Sequence, residues 1–251
     1  IETLVKLLPN NNGLIEHLQS EQSKAHTGLE ISSNGLWFPK SGWISPPKFA
    51  ESILENGLIE YIGGQELFPT QAEGLWHLQD SAGNTLHSCE TLVICSGAET
   101  TNNPLFEWMP LKPVAGQVNL VPATPETSAL TAILSQSTSI SPAENGVHCL
   151  GGTYRLGETA LDIREADDQK NLDNVQQMLG LEEPLQPEGS SARTGVRATT
   201  PDYLPICGSA PNLEQLRQDF AALAKNAKTP INKPAPAIEG LYLNTGYGSR
   251  G

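Results

Sequence analysis

GLWHLQDSAGNTLHSCETLVICSGA, residues 74–98, is the stretch whose reading decides the fold class. Apolar and polar residues alternate on both sides of Asp80–Asn84, the pattern of two half-buried strands joined by a turn. Asp80, Gly83 and Asn84 supply the turn chemistry between them. LIEYI (58–62) alternates in the same way and is expected to be the first strand of a three-stranded meander. The run LVIC (92–95) is too short for a helix and reads as a buried central strand, with Cys95 in the core and Ser96-Gly97-Ala98 as the turn that ends it. His77 and His87 are placed to face each other across the hairpin.

Upstream, LIEHLQSEQSK (14–24) has the spacing of a short amphipathic helix. In GLWFPKSGWISPPKFAESILENG (35–57) the first half reads as strand and turn. Pro46 and Pro47 suit a helix start, Phe49, Ile53 and Leu54 share a face, and Gly57 is a stop signal. Downstream, QVNLV (117–121), the Ser/Thr-rich residues 135–141 and VHCLGGTY (147–154) read as strands. A helix is expected over 165–179, with Leu172, Val175 and Leu179 on one face and Gly180 ending it. A last helix follows Asn212, with Gln215 completing a capping box and Leu213, Leu216, Phe220 and Leu223 forming the stripe. KTPINKPAPA (228–237) is a connector, and GLYLNTG (240–246) returns as a buried strand. No internal repeat is present. Sheet-rich stretches with few helices indicate an α+β fold rather than a regular doubly wound one.

The 251 residues carry 15 Lys+Arg against 28 Asp+Glu, a net charge of −13. That balance argues against a self-sufficient nucleic-acid binder, whose affinity comes largely from phosphate neutralisation. Hydrophobic residues at 38% and charged residues at 17% exclude a coiled coil or a charge-driven disordered chain. No apolar run reaches a membrane span and no secretory signal pattern appears, so no membrane partner is expected. Cys89, Cys95, Cys149 and Cys207 form no Cys-x-x-Cys pair, and a reduced, cytoplasmic setting is expected. The histidines at 17, 26, 77, 87 and 148 lack ligand spacing, so no metal site is expected. The chain starts at Ile1 and stops at Gly251 directly after a strand-like run, which reads as an internal fragment.

GYGSRG (246–251) satisfies G-x-G-x-x-G, but a dinucleotide fingerprint also needs a following helix, a second strand and an acidic residue about 20 positions on. As a stand-alone phosphate loop it is rejected. No G-x-S-x-G nucleophile elbow exists. Arg197, in ARTGVRATTPDYLPICG, and Arg250, in TGYGSRG, sit where strands run into glycine-bearing loops. On composition alone, solvated surface charges would be the default reading of both.

Four segments change that weighting. LVICSGAET (92–100), LKPVAGQV (111–118) with its Pro-x-x-Gly-Gln, GVRATTPDYLPICGSAP (195–211) with its Arg-x-x-Thr-x-Asp-x-x-Pro, and GLYLNTGYGSRG (240–251) together resemble the FAD-dependent amine oxidoreductases that include glycine oxidase and D-amino acid oxidase. GLWFPKSGWISPP, HCLGGTY and the ending GSRG point within that family to members acting on the wobble uridine of tRNA.

The resemblance implies part of a two-domain flavoprotein: a mixed or antiparallel substrate-domain sheet with part of the FAD domain, the N-terminal Rossmann unit being missing. Implied boundaries are 1–43 mainly substrate domain, 44–103 FAD domain, 104–200 substrate domain and 201–251 FAD domain. Implied FAD contacts are Ser96, Gly97, Ala98, Gly246, Gly248, Ser249 and Gly251. Arg197 and Arg250 would grip a substrate carboxylate through both its oxygens, and Tyr154 would add a hydroxyl.

The implied reaction is oxidative removal of the carboxymethyl group from 5-carboxymethylaminomethyl-(2-thio)uridine in tRNA, releasing glyoxylate. An absent half would then methylate the amine from S-adenosylmethionine. A glycine, sarcosine or D-amino acid oxidase is the alternative on the same arginines, and a non-catalytic interaction module is the alternative outside enzymes. The chain by itself is expected to carry no FAD and to self-associate through an open edge at 92–95.

Overall fold

The computed structural model describes residues 13–186 and 188–249. In chain order the strands are β1 (Glu16–Leu18), β2 (Gly35–Trp37), β3 (Phe68–Ala72), β4 (Leu75–Gln79), β5 (Thr85–Cys89), β6 (Leu92–Ile94), β7 (Lys112–Pro122), β8 (Leu134–Ser135), β9 (Ser139–Ile140), β10 (Val147–Gly151), β11 (Arg155–Leu156), β12 (Ser191–Thr199), β13 (Ile206–Pro211) and β14 (Ala237–Thr245). The helices are α1 (Ser23–Thr27), α2 (Pro46–Leu54), α3 (Glu165–Leu179) and α4 (Leu213–Asp219). The chain divides into two compact units, 1–60 with 115–195 and 61–114 with 196–251, so it changes unit inside both β7 and β12.

The first unit is built on a mixed-length sheet in the order β11-β7-β10-β9-β8, with β12 also pairing β7. β7 and β10 run antiparallel, with Leu150 opposite Asn119 and His148 opposite Val121. Helix α3 forms over the span its stripe indicates, and Gly180 takes the left-handed C-cap conformation at φ +65°. Its Leu172, Val175 and Leu179 bury against Val121, Ile140 and Leu150. Each such side chain contributes about 1.5–3 kcal/mol on burial. Three acidic residues in its first turn, Glu165, Asp167 and Asp168, suit the positive end of the helix dipole.

The second unit holds the antiparallel meander β3-β4-β5 and a sheet in the order β13-β14-β6. β13 and β14 are antiparallel, whereas β14 and β6 are parallel, with Leu241 beside Leu92 and Leu243 beside Ile94. The core gathers Trp76, Phe106, Met109, Ala210, Leu241 and Leu243. The Trp76 indole N–H donates to the Glu239 carbonyl at 3.2 Å, so the largest core side chain leaves no polar atom bare. Gly240, at φ +69°, lies so close to the β5–β6 turn that a Cβ there would stand 2.3 Å from the Glu90 oxygen.

The mixed fold with antiparallel sheets agrees with the α+β reading, and five local expectations are corrected. Residues 14–24 are no single helix. Glu16–Leu18 pair with Gly35–Trp37 as a β-ribbon, and only Ser23–Thr27 are α-helical. The first meander strand is Phe68–Ala72 rather than LIEYI, whose Leu58 and Tyr61 are 94% and 73% exposed. Cys95 is exposed, because β6 alternates and turns Leu92 and Ile94 inward while Val93 and Cys95 face out. The hairpin register sets His77 opposite Ser88, whose hydroxyl it meets at 2.8 Å, and sets His87 opposite Leu78. Asn212 caps α4 by accepting from the Gln215 N–H, but its own N–H donates to Pro236, and the Gln215 side chain bonds Asp219 instead of closing a capping box.

The resemblance placed boundaries at 43/44, 103/104 and 200/201, and the compact units divide at 60/61, 114/115 and 195/196.

Candidate functional site

Parallel pairing of β6 and β14 delivers two glycine turns to the same end of one sheet. β6 runs into Ser96-Gly97-Ala98, and β14 into Thr245-Gly246-Tyr247-Gly248-Ser249. Crevices outside the carboxyl ends of parallel strands are where open sheets of this kind bind ligands.

Gly97 adopts φ +57°, with open space where a Cβ would stand, and starts a 3-10 turn over Gly97–Asn102. The turn is held by its threonine: Thr100 donates to the Gly97 carbonyl at 2.8 Å and meets the Ser96 hydroxyl at 3.1 Å. The same Gly97 carbonyl accepts from the Thr245 hydroxyl at 3.2 Å, which ties the two loops together.

The second loop is fixed on its other side by the end of β12. The Gly248 N–H donates to Ala198 at 2.7 Å, and Tyr247 forms a β-bridge with Thr199. Gly246 (φ +79°) and Gly248 (φ +59°) both adopt the left-handed conformation. A Cβ on Gly246 would stand 2.9 Å from Thr200 Cγ2. The Tyr247 hydroxyl donates to Asn244 at 2.5 Å.

Arg197 lies half-buried on β12, directly before the residues that hold this loop. Beyond it Thr200 donates to the Leu204 carbonyl, and Asp202 accepts from the Leu204 N–H, which keeps its carboxyl below the usual carboxylate range. Tyr203 closes that turn at φ +60°, a conformation an L-residue with a ring side chain rarely adopts.

The structure therefore brings Ser96, Gly97 and Ala98 together with Gly246, Gly248 and Ser249 in the second unit, alongside the strand that bears Arg197. Tyr154 belongs to the first unit and is exposed between β10 and β11. Arg250 and Gly251 lie outside the described residues. Thr100 and Thr245 bind the glycine loops, Thr200 closes the turn to Leu204, and none of these three buried threonines was singled out from sequence. The signal for Thr100 and Thr245 is position, since one follows and the other precedes a glycine turn.

His148, buried on β10, donates from Nδ1 to the Ser141 carbonyl and accepts at Nε2 from the Thr127 hydroxyl, a satisfied structural histidine. Among the described residues no cluster of three or more His, Cys, Asp or Glu could hold a metal, and no helix is long and apolar enough to cross a membrane.

Residues 2–251 match the family described as FAD dependent oxidoreductase. The chain belongs to that family. Its relatives include the tRNA 5-methylaminomethyl-2-thiouridine biosynthesis bifunctional protein MnmC of Saccharophagus degradans, 31% identical over 96% of this chain and 34% of the relative. The protein of the same name from Stutzerimonas stutzeri is 29% identical over 95% of this chain and 37% of the relative. The chain thus spans about a third of the length of these relatives.

Among solved structures, glycine oxidase from Bacillus cereus superposes with a TM-score of 0.72 at 17% identity, covering 98% of this chain and 63% of that one. Iminodiacetate oxidase from Chelativorans superposes with a TM-score of 0.69 at 15% identity, covering 99% and 62%. These likenesses establish the fold of the FAD dependent oxidoreductase family.

The residues present suit FAD. Glycine turns in left-handed conformations at strand carboxyl ends let a backbone approach a diphosphate, and the Gly97 turn has the open space this requires.

Proposed function

We propose that the protein serves the FAD-dependent oxidation of 5-carboxymethylaminomethyl-(2-thio)uridine at the tRNA wobble position, releasing glyoxylate. The observation that carries this reading is the match to MnmC proteins over 95–96% of this chain at about 30% identity.

In this reading Ser96, Gly97, Ala98, Gly246, Gly248, Ser249 and Gly251 hold the FAD. Bound FAD supplies a two-electron acceptor for the C–H bond beside the substrate amine. The protein's task is to present that bond in one orientation. Arg197 serves this by gripping the substrate carboxylate with its planar guanidinium, which can bond both oxygens at once. Arg250 is the second candidate for that grip, and Tyr154 adds a hydroxyl hydrogen bond. The secondary amine loses two electrons and two protons to become an imine. Water then adds, leaving the primary amine on the uridine and the two-carbon fragment as glyoxylate. Methylation of that amine belongs to a separate activity.

The test is made in cells. Deleting the gene should cause 5-carboxymethylaminomethyl-uridine to accumulate in digested tRNA, and resupplying it should clear the accumulation. Purified protein with FAD should release glyoxylate from such tRNA and leave free glycine and sarcosine untouched. An unchanged nucleoside profile, or turnover of the free amino acids alone, overturns the proposal.

A further inference from the structure

The first unit contains a cleft of about 430 Å³ that the flavin chemistry does not use. It lies between the β1–β2 ribbon, α1 and the β8–β9 hairpin. Its apolar lining includes Leu18, Ile31, Trp37, Leu134 and Met178. The Trp37 ring is set against the His26 ring, with centroids 5.1 Å apart and planes at 46°. The Phe38 ring follows it and is 46% exposed.

Around this apolar surface stand Ser33, Asn34, Ser135 and Gln136. Asn34 spends its Oδ1 on the Ser20 N–H at 2.9 Å and keeps its Nδ2 for another partner. The hydroxyls of Ser33 and Ser135 and the whole side-chain amide of Gln136 make no hydrogen bond with the described residues. Ser23 and Thr27 differ: the Ser23 hydroxyl is committed to the Ile31 backbone, and the Thr27 hydroxyl to the carbonyls of Ser23 and Leu29.

We propose that this cleft binds a nucleobase. Its size falls within the range of roughly 300–1,000 Å³ typical of small-ligand sites. No charged side chain lines it, so a carboxylate or phosphate would meet no opposite charge to offset its lost hydration. An acyl chain would satisfy the floor but make no use of the solvent-exposed amides and hydroxyls at the rim. A base satisfies both: its face stacks on an aromatic ring, and its edge carries the mixed donors and acceptors that amide side chains match.

The net charge of −13 points the same way. Phosphate neutralisation cannot drive RNA binding by such a surface, whereas insertion of an unstacked base into an uncharged cleft can. The inference rests on the tRNA reading only for the source of the base, which could reach the cleft on an RNA strand or as a free nucleoside.

The test is calorimetric titration of the 251-residue chain with adenosine and uridine, and with a short single-stranded oligoribonucleotide. Saturable binding is expected, changing little between about 50 and 200 mM salt because no phosphate contact drives it. Trp37→Ala should weaken it about tenfold or more, the usual loss when a base forfeits an aromatic platform. Gln136→Leu, a change at an exposed hairpin position that leaves the core alone, should weaken it several-fold with an unchanged circular dichroism spectrum. If the oligonucleotide binds at least as tightly as the nucleosides, the base arrives on RNA; if it is excluded, the ligand is a free nucleoside. Absence of saturable binding by either, or binding unaffected by both substitutions, overturns the proposal. Neither result depends on flavin or turnover, so failure here is separable from failure of the oxidation reading.

Discussion

Gln117 and Arg164 exchange two hydrogen bonds across the first unit: the Gln117 Oε1 accepts the Arg164 N–H at 2.9 Å, and its Nε2 donates to the Arg164 carbonyl at 3.0 Å. Arg164 is the N-cap residue of α3 and has no side-chain cap of its own, so a glutamine from β7 does the capping. The same Nε2 reaches Asp168 in the first turn, while Asn119 donates to Asp168 and Asn171 donates to the Gln117 carbonyl. Gln117, Asn119 and Asn171 are all buried, and the network joins the sheet to the helix it carries.

Gln117→Leu should therefore lower stability by about 1–3 kcal/mol, since it strands the Arg164 N–H, whereas the Arg164 carbonyl keeps the Asp167 and Asp168 N–H groups. Hydrogen exchange of α3 amides in urea is the measurement. Protection in α3 equal to that of the parent would show that the capping is dispensable.

Gly240→Ala should destabilise the second unit more than Gly97→Ala does. Both glycines have left-handed backbone, which costs an L-residue about 1–2 kcal/mol. Only at Gly240 does the added Cβ collide with backbone, the Glu90 carbonyl, which cannot rotate away. Thermal unfolding of the two variants should rank them in that order. At Gly97 the loss is expected in flavin retention instead, because the open space over the turn is what a ligand backbone would occupy.

The pattern of α3 was legible because two signals agreed: a 3.6-residue stripe and a glycine stop. The error at Cys95 came from LVIC, where four apolar residues in a row conceal the alternation that faces Val93 and Cys95 outward. At 14–24 the local spacing favoured a helix, but strand pairing with residues 35–37 won, and no local pattern reports a partner some 20 residues away. LIEYI alternates like a strand yet finds no partner among the described residues. The glycine turns of the candidate site were visible in sequence because glycine is tied to backbone conformation. The threonines that lock them were not, because a buried hydroxyl bonded to a carbonyl looks in sequence like any other threonine.

The β4–β5 turn should loosen in acid. The Asn84 side chain, followed by the backbone N–H groups of Asn84, Ala82 and Gly83, holds the Asp80 carboxyl below its usual value. A carboxyl whose folded value is depressed contributes stability above its unfolded value and loses it as pH falls through the folded one. Exchange protection of the Asn84 amide should thus be flat above the ordinary Asp range and fall below it. Asp80→Asn should abolish that dependence; a variant retaining it would assign the acid sensitivity to another group.

In the full-length, FAD-loaded enzyme Arg197→Ala should reduce kcat/KM on the carboxymethyl substrate about ten- to a hundredfold, the range for losing a charge-assisted hydrogen bond worth roughly 1.5–3 kcal/mol. Flavin content should hold, because the Gly248 and Tyr247 contacts to β12 are made by the backbone of Ala198 and by Thr199. Arg197→Lys should recover only part of the loss, since an ammonium cannot bond both carboxylate oxygens in one plane. Loss of flavin in parallel with activity would instead make Arg197 a structural residue.

The 251-residue chain purified alone is expected to retain little FAD. The contacts proposed for the cofactor come from two loops, Ser96–Ala98 and Thr245–Ser249, joined through the Gly97 carbonyl. The loops are well fixed, so their ordering imposes little further cost. Yet a diphosphate is normally met by the amide end of a helix as well, where unpaired N–H groups and the dipole act together. Here Gly97 opens only a 3-10 turn of six residues, in which the Glu99 N–H is already donated to the Ser96 carbonyl. Two loops acting without that helix must meet an association cost of roughly 4–15 kcal/mol. The absorption spectrum of the purified chain, with and without added FAD, measures this directly. A stoichiometric flavin spectrum surviving gel filtration would mean that the two glycine loops suffice, and would place most of the binding energy on Gly97, Gly246 and Gly248.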